Sequence, residues 1–253
     1  GKALDKLPYS PSGAELEINV SGSSGEGYSL KLEENKVVIN AQSIAGLFYA
    51  VQTLRQIFEN ETVFCAEIED EPDFPERGFY HDITRGKVPT LETLKKLVDE
   101  MAYYKLNSLQ LYVEHTFEFK EFSDSIERTG YISAEELKEL DRYCAENFIE
   151  LIPSLSTFGH LYELLSKDKY KHLREADAGD AIAWENRMAH HTIDPTLDES
   201  FELVKSLIDQ FMPCFSSNKF NICCDETFDL KTGRHKDMDT AKLYVDFVCK
   251  IIE

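Results

Sequence analysis

Hydrophobic and polar positions interleave with strand-like spacing in three short runs near the start of the chain, Glu15–Val20, Tyr28–Leu32 and Val37–Asn40. The Ser/Gly-rich segment Ser21–Gly27 separates the first two as a turn. The period then lengthens. From about Ser43, a residue able to cap a helix, the apolar residues Ile44, Leu47, Phe48, Val51, Leu54 and Phe58 recur at helical spacing, which predicts a helix with one buried face. A further β-like run at Thr62–Ile68 completes an expected small α+β domain over residues 1–70, with the helix on one face of the sheet. The acidic, proline-containing segment Glu69–Pro75 reads as a linker.

Beyond it, strand-like and helix-like patterns alternate. Gly78–Ile83 is apolar enough for a buried strand, and Thr90 can cap a helix carrying Leu91, Leu94, Leu97, Val98 and Met101. Ser108–Val113 is a second strand, Ser133 and Glu136 have the spacing of a capping box, and Ile149–Leu155 is a third strand. After a long connection comes a helix with Leu197, Phe201, Val204, Leu207 and Phe211, then a strand at Lys219–Cys223. The last helix, Thr240–Ile252, places Tyr244, Val245, Val248 and Ile251 on one side. Repeating βα units imply an α/β fold with a parallel sheet and helices outside it, a (β/α)8 TIM-type barrel first and a doubly wound sheet second. Such a barrel takes eight strands in roughly 250 residues. Residues 76–253 supply only about the first four βα units, so the expectation is the N-terminal half of a barrel. Its missing C-terminal half would come from a longer chain or a second subunit.

Charge narrows the partners. Lys and Arg number 27 against 47 Asp and Glu, a net charge of −20, which argues against nucleic acid or an anionic membrane as partner and reads as a solubilising surface. No run of about 18 apolar residues suggests a membrane-spanning helix. Six cysteines make no C-x-x-C pair and no zinc spacing. Cys223 and Cys224 are adjacent, poor geometry for a structural disulfide, so buried free thiols are expected. With no apolar leader core in Gly1–Lys6 and a single short sequon at Asn60–Thr62, a cytoplasmic location is favoured.

In barrel enzymes the chemistry sits at the C-terminal ends of strands. Here those ends read His81-Asp82-Ile83-Thr84-Arg85-Gly86, Glu114-His115-Thr116, Pro153 through His160, and Cys223-Cys224-Asp225-Glu226-Thr227. Each carries polar or ionisable groups directly after a buried run, as an active-site rim would. Asp225-Glu226 is the sharpest feature, because adjacent carboxylates can divide acid and base roles. Asp-Glu dipeptides elsewhere, in Glu69-Asp70-Glu71 and Asp198-Glu199, read as solvated. Arg85 could serve a ligand or merely pair with Asp82 or an acidic helix, and Trp184 reads as packing. His190-His191 with Asp194 lack a fourth ligand, so neither a metal nor another cofactor is expected.

Three segments carry a resemblance. Asn221-Ile222-Cys223-Cys224-Asp225-Glu226 resembles the H-x-G-G-D-E motif of glycoside hydrolase family 20, the β-N-acetylhexosaminidases. Arg77 through Arg85 resembles its R-G-x-x-x-D-x-x-R opening, and Ile152-Pro153…Phe158-Gly159-His160 its I-P-E…P-G-H segment. The resemblance implies a glycoside hydrolase releasing terminal N-acetylglucosamine or N-acetylgalactosamine from β-linked glycans, with the substrate's own acetamido oxygen as nucleophile. It makes Glu226 the general acid and base, and Asp225 the partner of the acetamido N–H. Arg85 would bind sugar hydroxyls, His160 would support the carboxylate pair, and Glu114 would contact sugar.

The departures are Asn221 in place of His, Cys223-Cys224 in place of two glycines, and Glu114-His115 where an Asp pair is common. The resemblance also places the sugar-stacking tryptophans and an acetamido-binding tyrosine in the second half of the barrel, so this chain alone is expected to be inactive or nearly so. The main alternative is a non-catalytic sugar-binding or assembly module, which has no need of the intact carboxylate pair. A metal-dependent amidohydrolase would want His-x-His after the first strand, and His81-Asp82-Ile83 does not supply it.

Overall fold

The computed structural model describes residues 15–59, 63–123, 130–177 and 191–253. Trp184, His190, the sequon at residues 60–62 and the segment Gly1–Lys6 lie outside them. Two compact units are present. One runs to Gly78 and takes in Lys96–Ser108 and Cys144–Ile149; the other comprises Phe79–Lys95, Leu109–Tyr143 and Glu150–Glu253.

The first unit is built on β1 (Glu15–Val20), β2 (Tyr28–Leu32), β3 (Lys36–Ala41), α1 (Ile44–Phe58) and β4 (Ala66–Asp70). The sheet order is β1-β3-β2-β4, with β1 parallel to β3 and β2 antiparallel to both its neighbours. Ser43 caps α1 as its position predicts, its Oγ accepting from the N–H groups of Ala45 and Gly46 at 3.1 and 3.3 Å. Tyr28, Leu30 and Leu32 point inward along β2, while Lys31 is exposed and Ser29 only half-buried. They pack with Ile39, Ala41, Tyr49, Ala50 and Leu54 into one core. Burying each Leu or Ile there contributes about 1.5–3 kcal/mol.

The fourth strand lies later than the Thr62–Ile68 expected, and Glu69 and Asp70 belong to it rather than to a linker. The reason is a tertiary ion pair. Lys105 Nζ sits 2.6 Å from Asp70 Oδ2 and donates to the Tyr28 hydroxyl at 2.8 Å, while that hydroxyl donates to Asp70 at 2.6 Å. An acidic residue that reads as solvated in sequence is thereby seated opposite Tyr28 in the sheet.

A second sheet holds β5 (Gly78–Asp82), β6 (Ser108–Val113) and β7 (Glu150–Leu155) in that order. Asn107 N–H bonds the Arg77 carbonyl at one end and Ile83 N–H the Tyr112 carbonyl at the other, so β5 and β6 run in the same direction. Leu109, Leu111 and Val113 of β6 and Leu151, Ile152 and Leu155 of β7 are all buried, whereas β5, expected as a buried strand, is exposed at Gly78, Phe79 and Tyr80 and only half-buried at His81 and Asp82, because it lies at the edge of the sheet. Helices α2 (Leu91–Tyr103) and α3 (Ala134–Glu146) follow β5 and β6. The α3 capping box forms: Ser133 N–H donates to Glu136 Oε2 at 2.9 Å and Glu136 N–H to Ser133 Oγ at 3.2 Å. After β7 come the short α4 (Tyr162–Leu165), α5 (Asp198–Phe211) and α6 (Thr240–Ile252). In α5, Val204, Leu207 and Phe211 are buried as predicted. In α6 the buried residue is Phe247, which with Tyr244 packs on Phe158 at 4.6 and 5.5 Å between ring centres, whereas Val245 is exposed.

The fourth strand expected at Lys219–Cys223 reduces to one parallel bridge between Ser154 and Asn221. Asn221 N–H bonds the Pro153 carbonyl and its own carbonyl accepts from Leu155. Two residues later Cys223 turns to a φ of 42°, outside the extended region, and the ladder ends. None of the six cysteines forms a disulfide; Cys144, Cys214, Cys223 and Cys224 are buried as expected, but Cys65 and Cys249 are exposed.

Candidate active site

The segments that follow β6, β7 and the Asn221 bridge meet on one imidazole. His160 follows Gly159 in the left-handed region, with a φ of 58°, a conformation costly for a residue with a side chain. Its Nδ1 lies 3.3 Å from Glu114 Oε1, at the end of β6. Its Nε2 lies 3.0 Å from Glu226 Oε2 and 3.7 Å from Asp225 Oδ2, just beyond the Asn221 bridge. Glu114 is itself held in place. The Tyr112 hydroxyl donates to its Oε1 at 2.9 Å, Ser156 Oγ donates to that hydroxyl at 3.0 Å, and the Glu114 N–H bonds Thr84 Oγ1 at 3.0 Å. Burial by itself would lower the His160 pKa; the hydrogen bond to Glu114 and the charges of Glu114, Asp225 and Glu226 outweigh it and raise it.

Beneath the ring lies His191. Its Nδ1 accepts the His160 backbone N–H at 3.1 Å, which makes that nitrogen the unprotonated one. Desolvation, then the neighbouring His160, pulls its pKa down to about 4. An unfolded histidine near 6.5 therefore binds a proton that the folded one refuses between these two values. The stability held above pH ~6.5 falls as the pH drops towards 4, by up to about 3 kcal/mol. Urea unfolding should show this loss in the parent protein and a shallower one in His191→Gln, whose amide oxygen can still accept from His160. Parallel pH profiles would rule out His191 as the source.

The carboxylate pair sits on a strained turn. Cys223 and Glu226 both have positive φ, 42° and 53°, so Cys223 holds a glycine-like conformation at a cost of about 1–3 kcal/mol. Thr157 Oγ1 donates to the Ile222 carbonyl at 2.6 Å, and Ser154 Oγ lies 3.0 Å from Cys223 Sγ and 2.8 Å from the Tyr80 hydroxyl. Gly159 allows the turn to close: a Cβ there would stand 2.4 Å from the Asp225 carbonyl oxygen. The Asp225 and Glu226 side chains remain 62% and 46% exposed, so one side of the pair is open to a ligand.

Arg85 is placed at the end of β5, but its Nε is tied to Asp82 Oδ2 at 2.6 Å and its guanidinium lies 5.0 Å from the Tyr112 ring centre. Partial burial pushes the Asp82 carboxyl up, yet the N–H groups of Arg85 and Thr84 and the guanidinium hold it below its ordinary value. The Arg85 side chain is 61% exposed, so its outer nitrogens face solvent. The structure thus brings Glu114, His160, Asp225 and Glu226 together and leaves Arg85 beside Tyr112. Tyr112, Ser156, His191 and Gly159 were not singled out as site residues by sequence. Tyr112 read as part of the run Ser108–Val113, Ser156 and Gly159 lay in the strand-end segment Pro153 through His160 without a role of their own, and His191 was read only with His190 and Asp194.

Among the described residues, His160, Asp225 and Glu226 offer one donor atom each within 4.8 Å, as do Glu175, Asp194 and His235. Both ring nitrogens of His160 already face carboxylates, an arrangement suited to carrying a proton rather than to ligating a cation.

Comparison with known proteins agrees on one lineage. Residues 6–71 match glycosyl hydrolase family 20, domain 2, and residues 74–243 match the family 20 catalytic domain. The chain is 27% identical over 246 residues to a beta-hexosaminidase of Porphyromonas gingivalis, covering 85% of this chain and 31% of that one. Among solved structures it is similar to a chitobiase of Flavobacterium johnsoniae, with a TM-score of 0.76, 26% identity and coverage of 97% of this chain and 41% of the other. An exo-β-N-acetylglucosaminidase of Vibrio harveyi, solved with N-acetylglucosamine, shares the fold at a TM-score of 0.77 and 22% identity, covering 96% of this chain and 44% of that one. The chain spans about a third of the length of the first of these relatives.

Proposed function

The chain belongs to glycosyl hydrolase family 20, with a TIM-barrel-type α/β catalytic fold, and from that we propose that it supplies the acid–base end of a β-N-acetylhexosaminidase site. In this reading residues 1–70 are the small α+β domain, residues 76–253 the N-terminal half of the barrel, and β5, β6, β7 and the Asn221 segment its first four strands. Glu226 is the general acid. The acetamido oxygen of a terminal, β-linked N-acetylglucosamine or N-acetylgalactosamine attacks its own anomeric carbon, the glycosidic C–O bond breaks, and the Glu226 proton goes to the leaving oxygen. Glu226 then takes a proton from the water that opens the cyclic intermediate. Asp225 receives the acetamido N–H and stabilises the positive charge that develops. The outer nitrogens of Arg85 meet the sugar hydroxyls.

The observation that carries this reading is the line Glu114, His160, Glu226, with His160 Nε2 3.0 Å from Glu226 Oε2. Glu114 orients the ring and supports its charge, so His160 and Glu226 together hold the proton that is delivered. One Glu226 oxygen is fixed and the other is left for the glycosidic oxygen.

The intact protein should hydrolyse a nitrophenyl N-acetyl-β-glucosaminide and leave the matching β-glucoside, which lacks the acetamido oxygen, untouched. Equal hydrolysis of the two would remove the substrate-assisted reading. Hydrolysis of neither would leave sugar binding or assembly as the role.

A further inference from the structure

The segment after Glu226 is fastened by a buried latch that the proposed chemistry does not use. Phe228 N–H bonds the Glu226 carbonyl at 2.8 Å, opening a 3-10 turn over Phe228–Lys231. From that turn Asp229 Oδ2 accepts the Thr192 N–H at 2.9 Å. A few residues on, Glu175 grips the chain again. Its side chain is 0% exposed, its Oε1 accepts the His235 N–H at 2.8 Å, its Oε2 lies 2.7 Å from His235 Nδ1, and its carbonyl accepts from Arg234. A Cβ on Gly233 would stand 2.3 Å from the Glu175 carbonyl oxygen, so the turn lies directly on the Glu175 backbone.

The other side of this latch is the strip His191–Asp194. Glu175 N–H bonds the Thr192 carbonyl, Ile193 N–H the Phe158 carbonyl, and Leu161 N–H the His191 carbonyl. His191 also accepts from His160. One short strip therefore holds the His160 backbone on one side and, through Glu175 and Asp229, the segment following Glu226 on the other.

Resting on the reading of Glu226 as the general acid, we propose that Glu175 is a positioning residue for it: the Glu175–His235 latch fixes the 226–235 segment so that Glu226 faces His160 Nε2. A buried carboxylate with two donors from a single histidine suits such a fastening, because removing either partner leaves the other uncompensated and the segment loses its register.

The test uses the intact protein. Glu175→Ala should lower kcat about 100-fold with KM little changed, as displacing a catalytic group by about 1 Å does. His235→Leu should do the same, and His235→Asn, whose amide can donate from near the Nδ1 position, should retain most of the activity. Imidazole NMR gives a second readout that needs no turnover. His160 faces Glu114, Asp225, Glu226, Tyr112 and His191. If the carboxylate pair swings away, the His160 titration midpoint moves to lower pH in Glu175→Ala and His235→Leu. An unchanged midpoint in folded Glu175→Ala overturns the proposal, and His235→Leu carries the same comparison if that variant does not fold. Stoichiometric zinc in the parent protein, lost with Glu175, would overturn it too, because Glu175, Asp194 and His235 would then be a metal centre. A parent protein without hydrolase activity would remove the functional reading, and the NMR comparison would still decide the latch.

Discussion

Replacing Glu226 with Gln is expected to lower kcat of the intact protein on an aryl N-acetyl-β-glucosaminide by about 100- to 10,000-fold, the usual worth of general acid–base catalysis. The amide can keep the hydrogen bond to His160 Nε2, now 3.0 Å away, so the side chain need not move. It can neither release a proton to the leaving oxygen nor accept one from water. Binding of the sugar should persist, with KM close to that of the parent. A variant with parent-like kcat would mean that the proton comes from elsewhere, and the line Glu114, His160, Glu226 would be structural.

The second large effect should come from a residue with no chemistry of its own. Gly159→Ala adds one methyl group, which at the present backbone position would sit 2.4 Å from the Asp225 carbonyl oxygen and 3.5 Å from the Glu226 carbonyl carbon. The obstacle is backbone, so no side chain can swing aside. Either the turn carrying Asp225 and Glu226 retreats, or the His160 backbone does, and both movements open the contact between His160 and Glu226. A shift of about 1 Å at that contact predicts a loss of about 100-fold in kcat, with a stability cost of about 1–3 kcal/mol from overpacking. Steady-state kinetics beside a urea melt separates the two effects. A folded Gly159→Ala with parent-like kcat would show that the close approach does not position the pair.

Much of the local structure was legible because local physics makes it. Apolar spacing located α1 and α5, and the Ser43 and Ser133–Glu136 caps began their helices where sequence placed them, since a cap bonds backbone within its own turn. Buried apolar runs marked β6 and β7. Glu114 and His160 follow these runs, whereas Asp225 and Glu226 stood out through the motif that ends in them, since the segment before them is only partly buried and forms a single bridge. Tertiary partners decided the rest. Asp70 became a strand residue through Lys105 and Tyr28, far from it in sequence. The expected fourth strand stopped at Asn221 because Cys223 takes up a left-handed conformation that no apolar pattern encodes. His191, which in sequence stands with His190 and Asp194 one ligand short of a metal set, accepts the His160 backbone N–H, and burial lowers its pKa to about 4. Sequence determined which chemical groups arrive at the strand ends and which segments are helical. The fold alone decided that Glu114 and Glu226 take opposite nitrogens of one imidazole, and that Glu175 and His235 fasten the segment after Glu226. Those relations are distances between residues far apart in the chain, and only packing sets them.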